Sequence, residues 1–458
     1  MEKFNAVLEA ISGFLWGWPM IILLLGTHLF LTLRLRFPQR HIFKAIKLSV
    51  SKDKGADGEV SQFGALATSL AATIGTGNIV GVGTAIALGG PGAVFWCWLT
   101  GILGMATKYG EGLLAIKYRE PDGRGRMQGG PMYALEKGVG MKWLGVIFAL
   151  CTAFASFGIG STVQSNAIST MTRTVLGTSP ALIGGVVTLL AALVIIGGVK
   201  KIAKVCTALV PFMAILYVVG CIVILIMNSD FVWPAIQLIF RSAFNPAAAG
   251  GGLAGASIMI AARYGIARGL FSNESGLGSA PIVAAAARTK NPVRQALVSS
   301  TGTFWDTVVI CAMTGVVIVS SILAFPDISF EDGGELTSKA FSQIRHIGSP
   351  LLAFGSLTFA FSTILGWSYY GERAIEYLVS RTRVGKLISP EWMIRIYRII
   401  FLVSVFAGAV VSLEMVWNIA DIFNALMAIP NLLALLLLSG VIVSETRKYL
   451  WEGNIDGE

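Results

Sequence analysis

The residues best suited to binding chemistry lie in two glycine-interrupted runs inside apolar sequence. The first is Ala71-Ala-Thr-Ile-Gly-Thr-Gly-Asn-Ile-Val-Gly-Val-Gly83; the second is Gly269-Leu-Phe-Ser-Asn-Glu-Ser-Gly-Leu-Gly-Ser-Ala-Pro281. Gly75, Thr76, Gly77 and Asn78 offer consecutive backbone N–H groups at the amino end of a half-helix starting near Ile79. Such donors, aided by the helix dipole, suit a carboxylate. The glycines lack a Cβ and let a ligand approach the backbone. In the second run, the carbonyls of Phe271 and Ser272 and the side chains of Ser272 and Asn273 are acceptors for an ammonium group.

Gln164 sits in Gly158-Ile-Gly-Ser-Thr-Val-Gln-Ser-Asn166, a polar island in an apolar stretch, where it faces either a cavity or a neighbouring helix. Thr363 and Trp367 are four residues apart and share a helix face. Trp367, Phe271 and Ile74 are expected to close around a small side-chain pocket. Plainer roles compete throughout: tight packing for the glycines and Trp367, a helix–helix hydrogen bond for Gln164.

Charges in apolar segments are expensive and need a reason. Arg263, Arg268 and Glu274 flank the second break, and Asp306, Glu372 and Asp421 lie in later segments. Arg268 with Glu274, or Arg263 with Asp306, are candidate gates, coupling groups or structural pairs. Glu274 stands out as a group to organise the unwound run or carry a proton. Snorkelling and helix-end placement account equally well for Lys108, Arg373 and Glu376. The cysteines are single and without CxxC spacing, and the three histidines are scattered, so neither implies a metal site or disulfide framework.

Positioning both runs requires a membrane scaffold. The chain is 55% hydrophobic and 13% charged, against about 25% charged in soluble domains, and its mean hydropathy is +0.73. About eleven segments of helix-spanning length follow, near 12–33, 62–88, 92–116, 143–171, 181–198, 206–228, 252–287, 296–324, 350–379, 392–412 and 415–443. This predicts an all-α polytopic membrane protein with the lipid bilayer as its surroundings. The net charge of +10 does not indicate nucleic acid, because the basic residues fall in alternate loops. The positive-inside rule then puts the amino terminus outside and the carboxyl terminus in the cytoplasm.

Residues 1–36 read as an extra amino-terminal transmembrane helix, and 37–61 as a cytoplasmic amphipathic helix and linker. A first five-helix half covers 62–228, an outer loop 229–251, a second five-helix half 252–443, and a cytoplasmic tail 444–458. The glycine runs then open the first and sixth core helices. An odd number of spans per half inverts one half against the other, and paired broken helices point to a central site.

Thr76-Gly-Asn-Ile-Val-Gly-Val-Gly-Thr-Ala-Ile86 followed by Gly89-Gly-Pro-Gly-Ala-Val-Phe-Trp96 resembles the signature of the alanine or glycine:cation symporter family. Arg263-Tyr-Gly-Ile-Ala-Arg-Gly-Leu-Phe-Ser-Asn-Glu-Ser-Gly-Leu-Gly-Ser-Ala-Pro281 is similar to a second hallmark of that family, and the likeness spans essentially the whole chain. The resemblance implies a LeuT-type fold and an importer of alanine and glycine in the cell membrane, coupled to sodium and sometimes to protons. It also implies a sodium site: Ser362 and Thr363 resemble the hydroxyl pair set opposite the first broken helix, with the carbonyls of Ala72 and Gly75 completing an oxygen shell. No protein partner is implied. A proton-coupled symporter of the same fold is the alternative, and a cation channel is the alternative from another class. No zinc-protease, nucleophile-elbow or nucleotide-binding motif points to an enzyme or an ATP-driven pump.

Overall fold

A backbone surrounded by lipid must satisfy its own hydrogen bonds, and helices do so within one segment. The computed structural model describes residues 2–51, 53, 56–122, 125–245, 258–382, 389–411 and 414–456, and they are overwhelmingly helical. Lys52, Lys54, Arg124, Arg383 and Lys386 lie outside these residues, as do 246–251 of the outer loop and 252–257 at the start of the second half.

The chain opens with α1 (Glu2–Leu15) and α2 (Trp18–Arg34), interrupted at Trp16-Gly17. The first apolar helix therefore starts well before residue 12. A 3-10 turn (Pro38–His41) leads into α3 (Ile42–Ser49), which exposes Phe43, Lys44 and Lys47 and buries Ala45 and Leu48, as expected of an amphipathic helix. Ser61 caps α4 (Gln62–Thr73) by accepting from the Gly64 N–H at 2.9 Å. After the break come a π-helical turn (Gly77–Gly81) and α5 (Val82–Gly89). Gly90, at φ +73°, ends α5, and Pro91 leads straight into α6 (Gly92–Lys117).

A short hairpin of β1 (Glu120–Pro121) and β2 (Met127–Gln128) precedes α7 (Pro131–Tyr133) and α8 (Lys142–Ala155). A π-helical stretch (Ser156–Thr162) joins α8 to α9 (Val163–Leu176); α10 (Pro180–Ile195), α11 (Gly198–Met227) and α12 (Ser229–Phe244) follow. Next come α13 (Ile258–Asn273), the second break, α14 (Ala280–Ala284) and α15 (Pro292–Thr303). A further π-helical stretch (Phe304–Cys311) runs into α16 (Ala312–Ala324), and α17 (Leu336–Ser342) precedes the long α18 (Gly348–Arg381). The chain ends with α19 (Pro390–Val410), α20 (Glu414–Leu437) and α21 (Ser439–Thr446).

Among the described residues, seven helices are long and apolar enough to cross a membrane, or eight when the bent pair α4 and α5 counts as one span. The sequence predicts about eleven. The remaining apolar segments are also helical, as α6, α10 and α13, but each falls short of that measure. Glycines, Lys108 and Glu111 dilute α6, α10 has 16 residues, and α13 carries Arg263 and Arg268. The glycines of α6 serve packing: a Cβ on Gly101 would stand 2.7 Å from Thr307 Cγ2, and one on Gly112 2.6 Å from Ser299 Oγ. Small residues let membrane helices approach this closely. Accordingly α6 lies against α13 and α15, while α18 packs on α4, α8, α9, α11 and α19.

Candidate functional site

Both glycine runs are broken helices. The first unwinds at Ile74–Thr76, and its two arms meet at 55°. The second unwinds over Glu274–Ser279, with φ of +52° at Glu274, +92° at Gly276 and +85° at Gly278. The two glycines meet that left-handed backbone without strain, whereas Glu274 carries a side chain there.

A cavity of about 30 Å³ lies between the breaks. The first break contributes Ala72, Thr73, Gly75, Thr76 and Gly77, and the second Phe271, Ser272 and Glu274. Ile159, from a π-helical stretch, and Gln164 close one side, with Thr363 of α18 and Asn424 of α20 completing the wall. That volume holds roughly two waters.

Several expected residues face elsewhere. Asn78 is buried beside the cavity and acts within the fold: its Oδ1 accepts from the Gly75 N–H at 2.9 Å and its Nδ2 donates to Asp306 Oδ1 at 2.7 Å. The Asn78 N–H donates to the Gly75 carbonyl at 3.3 Å. Two of the four expected N–H donors are therefore engaged inside the turn, leaving Thr76 and Gly77 on the cavity wall. Asn273 folds back, its Oδ1 accepting from the Ser275 N–H at 2.9 Å. Ile74 and Trp367 are buried and absent from the lining. Trp367 sits against Gly160, where an added Cβ would be 2.3 Å from Trp367 Cβ, and meets Tyr370 edge-on at 5.6 Å.

The hydroxyl pair does meet the first broken helix. The Ser362 and Thr363 hydroxyls each lie 3.1 Å from the Ala71 carbonyl and 2.8 and 3.0 Å from the Phe359 carbonyl, so each donates its one proton to either. A Cβ on Gly75 would stand 3.1 Å from Thr363 Oγ1. The pair thus faces the unwinding point, with Ala71 as the carbonyl nearest to hand.

The charged residues pair differently from expectation. Among the described residues, neither Arg268 with Glu274 nor Arg263 with Asp306 forms an ion pair. Arg268 packs beside Gly81 and interacts electrostatically with Asp421, while Arg263 lies over the Tyr264 ring. Glu274 accepts a hydrogen bond from Ser279 Oγ within the unwound loop. Lys108, Arg373 and Glu376 are buried and do not snorkel. Arg373 Nη1 sits 2.7 Å from Glu376 Oε2, and Arg398 holds Glu372 through Nε at 2.8 Å and Nη2 at 3.0 Å.

Three contributors had no clear sequence signal. Asn424 lies in the eleventh predicted segment, and its Oδ1, like Gln164 Oε1, is buried without a hydrogen-bond partner among the described residues. Glu111 Oε1 accepts from the N–H groups of Gly276 at 3.0 Å and Gly278 at 3.2 Å and from Asn431 Nδ2 at 2.7 Å, fixing the second break. Trp16, from the amino-terminal helices, meets Phe271 edge-on at 6.3 Å and donates to the Asp421 carbonyl at 3.1 Å. An acidic residue one turn from Lys108 and a tryptophan ahead of the core were visible, but their long-range partners were not.

Two broken helices flanking a small polar cavity define a multi-pass membrane transporter, and comparison supports that class. A solved structure of MhsT in complex with L-phenylalanine matches with a TM-score of 0.58 over 84% of this chain and 90% of that one. At 14% identity the likeness is one of fold, and it is of the LeuT type. The model of the sodium:alanine symporter family matches residues 1–456, and the chain belongs to that family, whose members are transporters and not enzymes. It is 51% identical to the sodium/alanine symporter AgcS of Methanococcus maripaludis, over 97% of both chains. It is also 38% identical to a probable sodium/glutamine symporter, GlnT, of Bacillus subtilis, over 97% of this chain and 91% of the relative. A putative sodium/proton-dependent alanine carrier protein, YrbD, from the same organism is 36% identical over 96% and 90%.

Proposed function

We propose that this protein imports alanine and glycine across the cell membrane by alternating access, drawing on the sodium gradient. The observation that carries this reading is the joint wall of one small cavity: two unwound helices, an unpaired Gln164 oxygen, an unpaired Asn424 oxygen and the Thr363 hydroxyl.

The substrate carboxylate lies on the N–H groups of Thr76 and Gly77, at the positive end of the following half-helix. The ammonium takes Gln164 Oε1 and Asn424 Oδ1, whose lack of partners leaves a buried polar demand that a ligand satisfies. Phe271 borders the side-chain pocket, and Trp367 supports its wall one helical turn beyond Thr363. Sodium fits beside Ser362 and Thr363: both hydroxyls turn their lone pairs to the ion, and carbonyls of Ala71, Ala72 and Gly75 complete a hard-oxygen shell. Binding there ties α18 to the first broken helix and so links ion to substrate.

In this reading the core is a five-plus-five inverted repeat, 62–228 and 252–443, preceded by one extra helix, with eleven spans in all. The amino terminus is outside and the carboxyl terminus cytoplasmic. Arg268 and Asp421 close the outer side, and the Arg126, Arg373 and Arg398 contacts to Glu372 and Glu376 close the inner side.

Binding of labelled alanine to the purified protein tests the site. It is expected to need sodium, to weaken strongly in Gln164→Ala and to need more sodium in Thr363→Ala. Sodium-independent binding in the unaltered protein, or full affinity in Gln164→Ala, would overturn the assignment.

A further inference from the structure

The amino-terminal helices carry an aromatic residue that the symport reading leaves without a task. α1 ends at Leu15 and α2 restarts at Trp18, and the residues between them are held in one geometry. The Trp16 N–H still reaches the Ser12 carbonyl at 2.9 Å, as in a helix, while the Gly17 N–H tightens onto the Phe14 carbonyl at 3.1 Å. Gly17 then turns extended, at φ −77° and ψ −165°, where a Cβ would stand 2.9 Å from the Phe14 carbonyl oxygen. Pro19 lies in the first turn of α2, where its missing N–H costs no helical bond.

This interruption leaves Trp16 partly buried beside the second broken helix. Its indole N–H donates to the Asp421 carbonyl at 3.1 Å, which anchors the ring, and the ring meets Phe271 edge-on at 6.3 Å. Phe271 lines the cavity and also lies against the first break, where a Cβ on Gly77 would be 3.8 Å from Phe271 Cδ1. One ring thus touches both Trp16 and the backbone proposed to hold the substrate carboxylate. The same helix pair backs the second break at another point: a Cβ on Gly276 would stand 2.5 Å from Leu24 Cδ2 and 3.7 Å from His28 Cε1. It is also tied to α20, where Asn418 Nδ2 donates to Asn5 Oδ1 at 2.9 Å. Trp16 does not line the cavity, so its route to the substrate runs through Phe271.

We propose that Trp16 is a positioning residue for substrate selection, holding Phe271 against the first break so that the side-chain pocket admits a hydrogen or a methyl group and little more. The proposal rests on the symport reading and deepens it, because it puts a determinant of substrate size outside the repeat core. An edge-on aromatic pair has a preferred geometry, and the bond to the Asp421 carbonyl keeps the indole from yielding. A small residue at position 16 leaves space beside Phe271, into which that ring can retreat from Gly77. Each methylene that the pocket then takes out of water is worth about fourfold in affinity. A tryptophan in a membrane protein also serves as an interfacial anchor. That role governs insertion and stability and leaves the order of substrates alone.

Competition of labelled alanine binding by unlabelled valine and leucine, on the purified full-length protein in sodium, separates the two roles. Trp16→Ala is expected to bind alanine more weakly and to gain about ten- to twentyfold for valine relative to alanine, from two further methylenes. An order of competitors that overlays the parent's in an inserted Trp16→Ala would overturn the proposal. Should that variant fail to insert, Trp16→Leu keeps apolar bulk and is expected to shift the order in the same direction by a smaller factor; an unchanged order there counts equally against it. In a Phe271→Leu background, Trp16→Ala is expected to add little. A shift as large as in the parent would show that Trp16 acts by another route and would also overturn the proposal. Absence of sodium-dependent alanine binding by the unaltered protein defeats the symport reading itself, whereas normal binding with an unchanged order in the variants defeats only the role of Trp16.

Discussion

A methyl group on Gly75 would stand 3.1 Å from Thr363 Oγ1, closer than a comfortable contact, and the branches of valine would reach further into the hydroxyl pair. Gly75→Val is therefore expected to insert normally and lose sodium-dependent alanine uptake. Gly77 is less confined: a Cβ there would meet Phe271 Cδ1 at 3.8 Å, an ordinary contact, so Gly77→Val is expected to weaken uptake less. Equal uptake by Gly75→Val and the parent protein would remove the first break from the site. Thr363→Ala deletes one oxygen from the proposed sodium shell. A lost buried polar contact is worth about 1–3 kcal/mol, so half-maximal uptake should need about 5- to 150-fold more sodium. A sodium response that overlays the parent's would exclude Thr363 as a ligand. Trp367→Leu relaxes the wall behind the cavity, and each methylene newly buried there adds about 0.8 kcal/mol. Valine and leucine should then compete better for alanine uptake, while an unchanged ranking in a well-inserted variant would leave Trp367 a packing residue only. The glycines, Gln164 and the Ser362-Thr363 pair were legible because their chemistry is local. The inward turn of Asn78 was not, because Gly75 and Asp306 fix it together and Asp306 is remote in sequence.

At the scale of elements, the sequence marked both breaks, because glycine runs in apolar segments leave the backbone polar groups to be satisfied by other means. It did not reveal what holds the second break in shape. Glu111 does so from α6, accepting two backbone N–H groups and the Asn431 amide through one oxygen. Glu111→Ala would strand these buried donors at about 1–3 kcal/mol apiece. A lower melting temperature and a raised KM for alanine are expected, with Glu111→Gln recovering much of both because its amide oxygen still accepts. Similar behaviour of the two variants would show that the charge opposite Lys108 matters more than the acceptor. Element boundaries were harder to read where π-helical stretches intervene, as at Ser156–Thr162 and Phe304–Cys311. Both lie at or beside the cavity, where such bulges often mark function. The amino-terminal helices read as an addition outside the core, yet Trp16 touches Phe271 and the backbone of Asp421. That contact joins residues more than two hundred positions apart, and no local pattern announces it.

For the whole molecule, hydropathy and loop charge pointed to a polytopic membrane protein, and the two motifs to its family. The two broken helices share the wall of one small cavity, and the family match makes the chain a transporter. In the proposed mechanism a sodium gradient drives alanine uphill through this site. Purified protein in proteoliposomes, given an inward sodium gradient, is expected to accumulate labelled alanine above the outside concentration. Accumulation should saturate with alanine and collapse when a sodium ionophore dissipates the gradient. Uptake that only equilibrates alanine whatever the sodium gradient, or a sodium current linear in voltage that flows without alanine, would contradict the account.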